Sequence, residues 1–321
     1  MRIKLLFPAV TFLAPACGLA LLGPSASPAE ASSAVAPPAL NIVSSNTMLL
    51  PSAIVDQWAQ DFRGELIGSS SYVKNRDVVV FQELFDNSAS DILMDKLKTQ
   101  YPYQTPVIGR STSGWDSTQG DYSFFTPEDG GVSILSRWPI TKKVQFIYND
   151  ACGADYFSGK GFGYARLNVN GANVHVLGTH LQADDTACGS GEAARVRAAQ
   201  LGEMRAFVNK LNIPANEAIV YAGDMNIVRG GAEYPTLLSK LNAVPPSFAG
   251  ALYTMDPTTN SLAKARYAGK PRQWLDYILF DQSHARPASW TNTGLDVHSG
   301  SWNLDGQTYY DYSDHYPIQG S

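Results

Sequence analysis

Apolar positions along the chain recur in two rhythms. Short runs rich in β-branched and aromatic residues, each bounded by Gly, Asn, Asp or Pro, predict strands at 40–46 (LNIVSSN), 77–84 (DVVVFQEL), 131–136 (GVSILS), 163–170 (GYARLNVN), 173–180 (NVHVLGTH), 218–224 (AIVYAGD) and 274–280 (WLDYILF). The helical rhythm is clearest at 191–211, where Val196, Leu201, Met204, Phe207, Val208 and Leu211 share one face and Pro214 follows as a stop. Residues 86–98 and 50–62 predict two further amphipathic helices. Runs such as DVVVF and AIVYAG are apolar on both faces, as in central strands covered on both sides. Two layers of sheet with helices outside them, an α/β arrangement, is the expected architecture.

Composition changes this picture mainly at the N-terminus. The 321 residues are 44% hydrophobic and 17% charged, enough for a large core. Arg2 and Lys4 precede an apolar run that ends in small residues at Ala29-Glu30-Ala31, which predicts a secretory signal over 1–31. Pro8, Pro15 and Gly18 interrupt the run and leave it short for a membrane span. Residues 32–40 (SSAVAPPAL) are expected to be a flexible leader, and 41–321 a single domain. Removal of Cys17 with the signal leaves Cys152 and Cys188, an even pair in an exported chain, so a disulfide is expected over two free thiols. A bridge closing a loop of that length stabilises by about 4 kcal/mol in the chain-entropy view. Loss of Arg2, Lys4 and Glu30 lowers the formal net charge of −5 by one, to −6, which leans against a nucleic-acid partner.

The polar residues of interest stand at the ends of the apolar runs. DVVVFQE ends in Glu83, NVHVLGTH in His180, and AIVYAGDMN in Asp224 and Asn226; YSDHYPI holds Asp314 and His315. Side chains alternate along a strand, so Asp224 and Asn226 can present a carboxylate and an amide to one cleft. Carboxylates, an amide and imidazoles without a thiol pair suit a hard divalent ion such as Mg²⁺ better than structural zinc. Such a set fits phosphoester hydrolysis by an activated water. Taken singly, each of these residues is as well explained by an ordinary surface or turn position, and His175, His284 and His298 are expected to be structural.

As an ordered set, FQE, GTHL, GDMN, WLDYI and SDH resemble the endonuclease/exonuclease/phosphatase superfamily, whose fold is DNase I-like. Within it the chain is most similar to secreted bacterial neutral sphingomyelinases, through SSNTMLLP, GWDSTQGDYSFFTPEDGGVSILSRWPI, KGFGYARLNV, GTHLQADD and YSDHYPI. The resemblance implies a four-layer sandwich of two mixed β-sheets packed face to face with helices outside, and Mg²⁺-dependent cleavage of sphingomyelin to ceramide and phosphocholine. One or two divalent ions are implied, with Mn²⁺ or Co²⁺ able to substitute. Carried over by position, Glu83 is a metal ligand with Asn46 beside it, and Asp224 and Asn226 handle water and a phosphate oxygen near the metal. Asp314 belongs to the metal or its surroundings, His315 is the base oriented by Asp276, and His180 stabilises charge or protonates the leaving oxygen, the division between the histidines staying open. Cys152 and Cys188 also fall where relatives have a disulfide, and Tyr122, Asp129 and Lys160 are cleft candidates.

Where some relatives carry a hairpin tipped by paired exposed aromatics, this chain reads HSGSWNLDGQTYYDY, so Trp302 is the candidate membrane contact, with packing under a loop as the alternative. The implied partner is sphingomyelin in outer leaflets, met by a secreted, peripheral, monomeric enzyme with no nucleic acid. The alternatives are a secreted nuclease or phosphatase on the same fold, which would want clustered Lys and Arg, and a catalytically dead membrane-binding module.

Overall fold

The computed structural model describes residues 38–52 and 57–321; the expected signal, with Cys17, lies outside these residues. In chain order the first half comprises β1 (Ile42–Leu49), α1 (Gln60–Ser69), β2 (Val78–Leu84), α2 (Asn87–Leu97), β3 (Tyr103–Gln104), β4 (Ser117–Gly120), β5 (Ser133–Ser136), β6 (Ile140–Ile147) and β7 (Gly161–Val169). The second half comprises β8 (Ala172–His180), α3 (Glu192–Leu211), β9 (Ala218–Asp224), α4 (Tyr234–Leu241), β10 (Ala243–Val244), β11 (Ser247–Gly250), α5 (Ser261–Tyr267), β12 (Asp276–Asp281), β13 (Thr291–Gly294), β14 (Trp302–Leu304), β15 (Gln307–Tyr309) and β16 (Ile318–Gly320). They form two seven-stranded mixed sheets, ordered β11-β13-β16-β1-β2-β5-β3 and β10-β12-β9-β8-β7-β6-β4, and a separate β14-β15 hairpin.

The two-residue period of the strands decides what lies between the sheets and what lies outside. Ile42, Val78, Val80 and Ile134 point inward and join Leu177, Tyr221 and Ile278 of the facing sheet in one core. Their neighbours Val43, Val79, Phe81 and Leu135 point the other way, onto Ile67 of α1 and Leu93 and Leu97 of α2. On the far side α3 buries Val196, Leu201, Met204, Phe207 and Val208, the face its spacing predicts. The result is helix, sheet, sheet, helix, as expected for the DNase I-like sandwich.

Two boundaries differ from expectation. The helix expected at 50–62 begins only at Gln60; Leu50–Ser52 and Gln57–Ala59 are not helical, and 53–56 lie outside the described residues. Ala59 at its N-terminus is left-handed (φ 52°), so the apolar spacing upstream does not propagate as helix. Leu40 is likewise not leader but core, buried against the inter-sheet cluster, with the Asn41 amide donating to Asp77.

Strand direction gathers the polar ends. β1 and β2 run parallel, as do β8 and β9, so Asn46, Glu83, His180 and Asp224 all emerge near the C-terminal ends of their strands. The antiparallel β12 begins beside them, with Asp276 opposite Asp224 in register. β16 runs antiparallel to β1, which brings His315, just ahead of it, to the same end. Gly223 permits a close step: at φ 152° a Cβ there would lie 1.9 Å from the Thr179 carbonyl oxygen, so only glycine lets Asp224 follow this close to His180.

Candidate metal centre and catalytic site

Glu83, His180, Asp224, Asn226 and His315 line one cavity of about 350 Å³, with Met255, Tyr267, Lys270 and Leu275 among its other walls. Backbone strain aims two of them. Glu83 (φ 57°) and Asn226 (φ 50°) are left-handed, a conformation that costs a non-glycine residue about 1–3 kcal/mol and persists where surroundings enforce it. For Glu83 the enforcement is visible: the β1–β2 register shifts after Asn46, and the Thr47 hydroxyl donates to the carbonyls of Gln82 (2.8 Å) and Glu83 (3.1 Å). Arg63, wholly buried, holds the other side of this bulge by donating to the carbonyls of Thr47 (2.8 Å), Met48, Trp58 (2.7 Å) and Tyr312 (3.3 Å).

Asn46 ties the carboxylates together. Its Nδ2 donates to Glu83 Oε1 (2.9 Å) and Asp224 Oδ2 (3.1 Å), while its Oδ1 accepts the Met48 amide (3.0 Å). Asp224 Oδ1 accepts the Asn226 amide (2.9 Å), and Asn226 Nδ2 donates to the Leu181 carbonyl (3.0 Å). His315 Nδ1 lies 2.9 Å from Asp276 Oδ2 and 3.8 Å from Asp224 Oδ2. His180 Nε2 lies 3.7 Å from Asp224 and 3.9 Å from Glu83. Asp314 is not among the residues lining the cavity: Arg266 pairs with its Oδ2 and Ser313 Oγ donates to its Oδ1 (3.3 Å). Its charge reaches the site through the field, raising Glu83.

Negative charge exceeds what the protein itself neutralises. Burial, then Asp314, raises the Glu83 carboxyl; burial, then Asp276, lifts Asp224 to about 7. Burial opposes charge on His315, yet Asp276 and Asp224 outweigh it and lift the imidazole to about 10. Burial, Lys160 and His315 hold His180 well below the usual imidazole value. Arg266 keeps Asp314 low against its burial. Among the described residues Glu83 Oε2 and Asp276 Oδ1 are buried without any hydrogen-bond partner, and Asp224, Asp276 and His315 offer ligand atoms within 4.8 Å of one another. An orphaned carboxylate oxygen in an oxygen-rich, net-negative pocket fits a hard divalent cation.

The raised Asp224 and His315 give a signed prediction for the protein without metal. Asp224 is raised far above the ordinary carboxylate value, so its contribution is present at low pH and lost as pH rises through about 7; His315 is raised too, so its contribution is full below the ordinary imidazole value and lost through about 10. In EDTA the melting temperature should therefore fall by roughly 5 °C or more between about pH 6 and pH 9, and Mg²⁺ should restore more of it at the alkaline end. Thermal melts at each pH with and without Mg²⁺ check this; a flat EDTA profile contradicts the charge balance drawn here.

Several sequence candidates land elsewhere. Trp302 is buried at 7% exposure, packed on Tyr309 (4.9 Å between centroids) and Phe62 (5.7 Å), with its indole N–H donating to the Asp311 carbonyl (3.2 Å). It anchors the β14–β15 hairpin, so it does not offer itself to a membrane. Tyr122 packs on Ile108, Val132 and Ile147, Asp129 pairs with Arg110 (2.9 Å), and Lys160 pairs with Asp155 (2.8 Å); all three brace loops beside the cavity. Cys152 and Cys188 are bridged, with Cα atoms 5.3 Å apart. His175 pairs with Glu217 (2.7 Å), His284 with Asp281 (2.8 Å) and His298 with Asp311 (2.6 Å), and none lines the cavity.

Sequence reasoning missed the cations. Lys264, Arg266, Lys270 and Arg272 form a basic run over 264–272 that is visible in the sequence. Arg266 neutralises Asp314 and Lys270 stands in the cavity wall, so the run serves the site even though the chain is acidic overall.

Known proteins resemble this chain over most of its length. The model of the endonuclease/exonuclease/phosphatase family matches residues 50–315. The chain is 44% identical over 293 residues to a sphingomyelinase C of Bacillus cereus, covering 88% of each. The crystal structure of sphingomyelinase C from Streptomyces griseocarneus superposes with a TM-score of 0.86 at 46% identity, over 88% of this chain and 99% of that one. A Staphylococcus aureus beta toxin solved with bound magnesium ions superposes with a TM-score of 0.86 at 44% identity, over 88% of this chain and 98% of that one.

Proposed function

The chain belongs to the endonuclease/exonuclease/phosphatase family, and from that premise we propose that it is an exported, Mg²⁺-dependent phosphodiesterase that hydrolyses sphingomyelin to ceramide and phosphocholine. The observation that carries the reading is the buried, unpartnered Glu83 Oε2 in the same cavity as Asp224, Asn226, His180 and His315. The names borne by relatives 44–46% identical supply the substrate class. We further assign Mn²⁺ and Co²⁺ as substitutes for Mg²⁺, and a monomer acting from outside the cell on outer leaflets. Among the described residues no helix is long and apolar enough to cross a membrane, in keeping with peripheral contact.

Glu83 and Asp224, bridged by Asn46, would hold the ion, with Asp314 tuning the charge behind them. The chemistry such a dication would supply there is Lewis-acid polarisation of a phosphoryl oxygen, a more acidic water and an offset to the carboxylates around His315. His315, with Nδ1 fixed by Asp276 Oδ2 (2.9 Å), has Nε2 left to take a proton from the attacking water. As the water oxygen bonds to phosphorus, the bond from phosphorus to the ceramide oxygen breaks, and that oxygen takes up a proton from solvent while His315 returns the one it accepted to solvent. His180, held neutral, donates a hydrogen bond to a phosphoryl oxygen, and Asn226 Nδ2 keeps a second hydrogen for the same work. Lys270 in the wall draws the phosphodiester in.

That lysine would suit a nucleic-acid phosphate as well, so the test runs both substrates together. Purified mature protein should release phosphocholine from sphingomyelin vesicles with Mg²⁺ and lose at least about a hundredfold of that rate in EDTA, without nicking plasmid DNA under identical conditions. Nicking without phosphocholine release would keep the metal centre and overturn the substrate.

A further inference from the structure

Four aromatic side chains on two loops stand in water. Phe124 is 85% and Phe125 90% exposed, and Tyr156 is 69% and Phe157 59% exposed. Phe125, Tyr156 and Phe157 border the same open groove of about 300 Å³. An exposed cluster of this kind is costly in water and marks a contact surface.

Neither loop is loose. At the first, the Phe125 amide donates to Ser123 Oγ (3.1 Å) and the Thr126 amide to the Ser123 carbonyl (3.2 Å), a tight turn that throws both rings outward, while Tyr122 seats its base in an apolar cluster. The second is the short helix Gly153–Phe157, which starts at the bridged Cys152. The loops are laced together by the Glu128 amide donating to the Phe157 carbonyl (3.1 Å) and the Gly159 amide to the Glu128 carbonyl (2.8 Å).

Both loops are also fastened to the catalytic cavity. The Leu84 amide, next after Glu83, donates to the Gly131 carbonyl (2.9 Å). Asp155 accepts the amide of Ala183 (2.8 Å), a cavity-lining residue, and Lys160 beyond Phe157 reaches the Leu181 carbonyl (3.4 Å), next after His180. The loops that carry the aromatic tips are therefore tied to the walls of the site.

We propose that Phe124, Phe125, Tyr156 and Phe157 form the docking surface that seats this protein on a bilayer of zwitterionic phosphocholine lipids, in place of the buried Trp302. The inference rests on the lipid reading above. Aromatic rings partition to the boundary between headgroups and acyl chains. The charge around them selects the lipid: residues 121–129 carry Asp121, Glu128 and Asp129 and no Lys or Arg, and Asp121 and Asp150 line the groove. Acids repel an anionic leaflet but accept the outward ammonium of phosphocholine, which the rings also bind through their faces.

The test uses the mature protein and two paired variants, Phe124→Ser with Phe125→Ser, and Tyr156→Ser with Phe157→Ser. Co-sedimentation in EDTA with sphingomyelin/phosphatidylcholine vesicles, and with phosphatidylserine vesicles, measures docking without turnover. Each pair should lose at least about tenfold in binding to phosphocholine vesicles and in vesicle turnover with Mg²⁺, yet keep wild-type turnover of a water-soluble phosphocholine diester and wild-type melting temperature. Phe125→Trp should bind normally and shift its emission to the blue on vesicles. Undiminished vesicle binding by both paired variants, or stronger wild-type binding to phosphatidylserine, overturns the proposal. A wild type that binds phosphocholine vesicles but never hydrolyses them overturns the underlying lipid reading instead.

Discussion

Replacing His315 by alanine should lower sphingomyelin turnover by on the order of ten-thousandfold at saturating Mg²⁺, with the fold intact. The imidazole is the group in the cavity whose one nitrogen is held by a buried carboxylate, so its other nitrogen is oriented before substrate arrives. Saturating metal matters to the design of the experiment. Without an ion, removal of the imidazolium leaves Asp224 and Asp276 facing each other uncompensated, and lost stability would mimic lost catalysis. Steady-state kinetics with circular dichroism separates the two; near-wild-type turnover by a folded His315→Ala would remove the base from the mechanism. The acid limb of the pH profile should also vanish in the variant, which a purely structural histidine would not cause.

The second large effect is on the metal. Glu83→Ala should raise the Mg²⁺ concentration for half-maximal activity by about a hundredfold or more, because it deletes the carboxylate whose Oε2 the protein leaves unsatisfied. The same variant should be at least as stable as wild type in EDTA. Burial and Asp314 already disfavour charge on Glu83, so its removal relieves a desolvated acid instead of breaking a pair. A titration of activity and of melting temperature with Mg²⁺ reads both. Marked destabilisation in EDTA would make Glu83 a structural residue and return the metal site to Asp224 and Asp276.

Much of the site was legible because strand ends announce themselves: apolar runs that stop at Glu83, His180 and Asp224 place those residues at one edge of a sheet. What a linear reading cannot give is which edges coincide. Asn46 donating to both Glu83 and Asp224 is a contact between two sheets, and the left-handed backbone at Glu83 follows from a bulge that Thr47 and Arg63 enforce from outside its strand. Short edge strands such as β3 and β10 carry no periodic signal. Trp302 was expected to be exposed, and no exposure was expected of Phe124–Phe125, for one reason. Burial depends on what packs above a residue, and turn formers flank the hidden tryptophan as well as the exposed pair. Residues 50–62 show the converse, a helical spacing with no helix over most of its described part.

The position of β16 has a consequence for the order of events in the cell. It lies inside the first sheet, between β13 and β1, with Ile42 opposite Gly320, so the earliest strand waits for the latest to arrive. Residues 313–320 bring His315 and Asp314 with them. A chain emerging from its N-terminus is thus chemically silent until nearly its last segment has been delivered, because the cavity has no His315 before then.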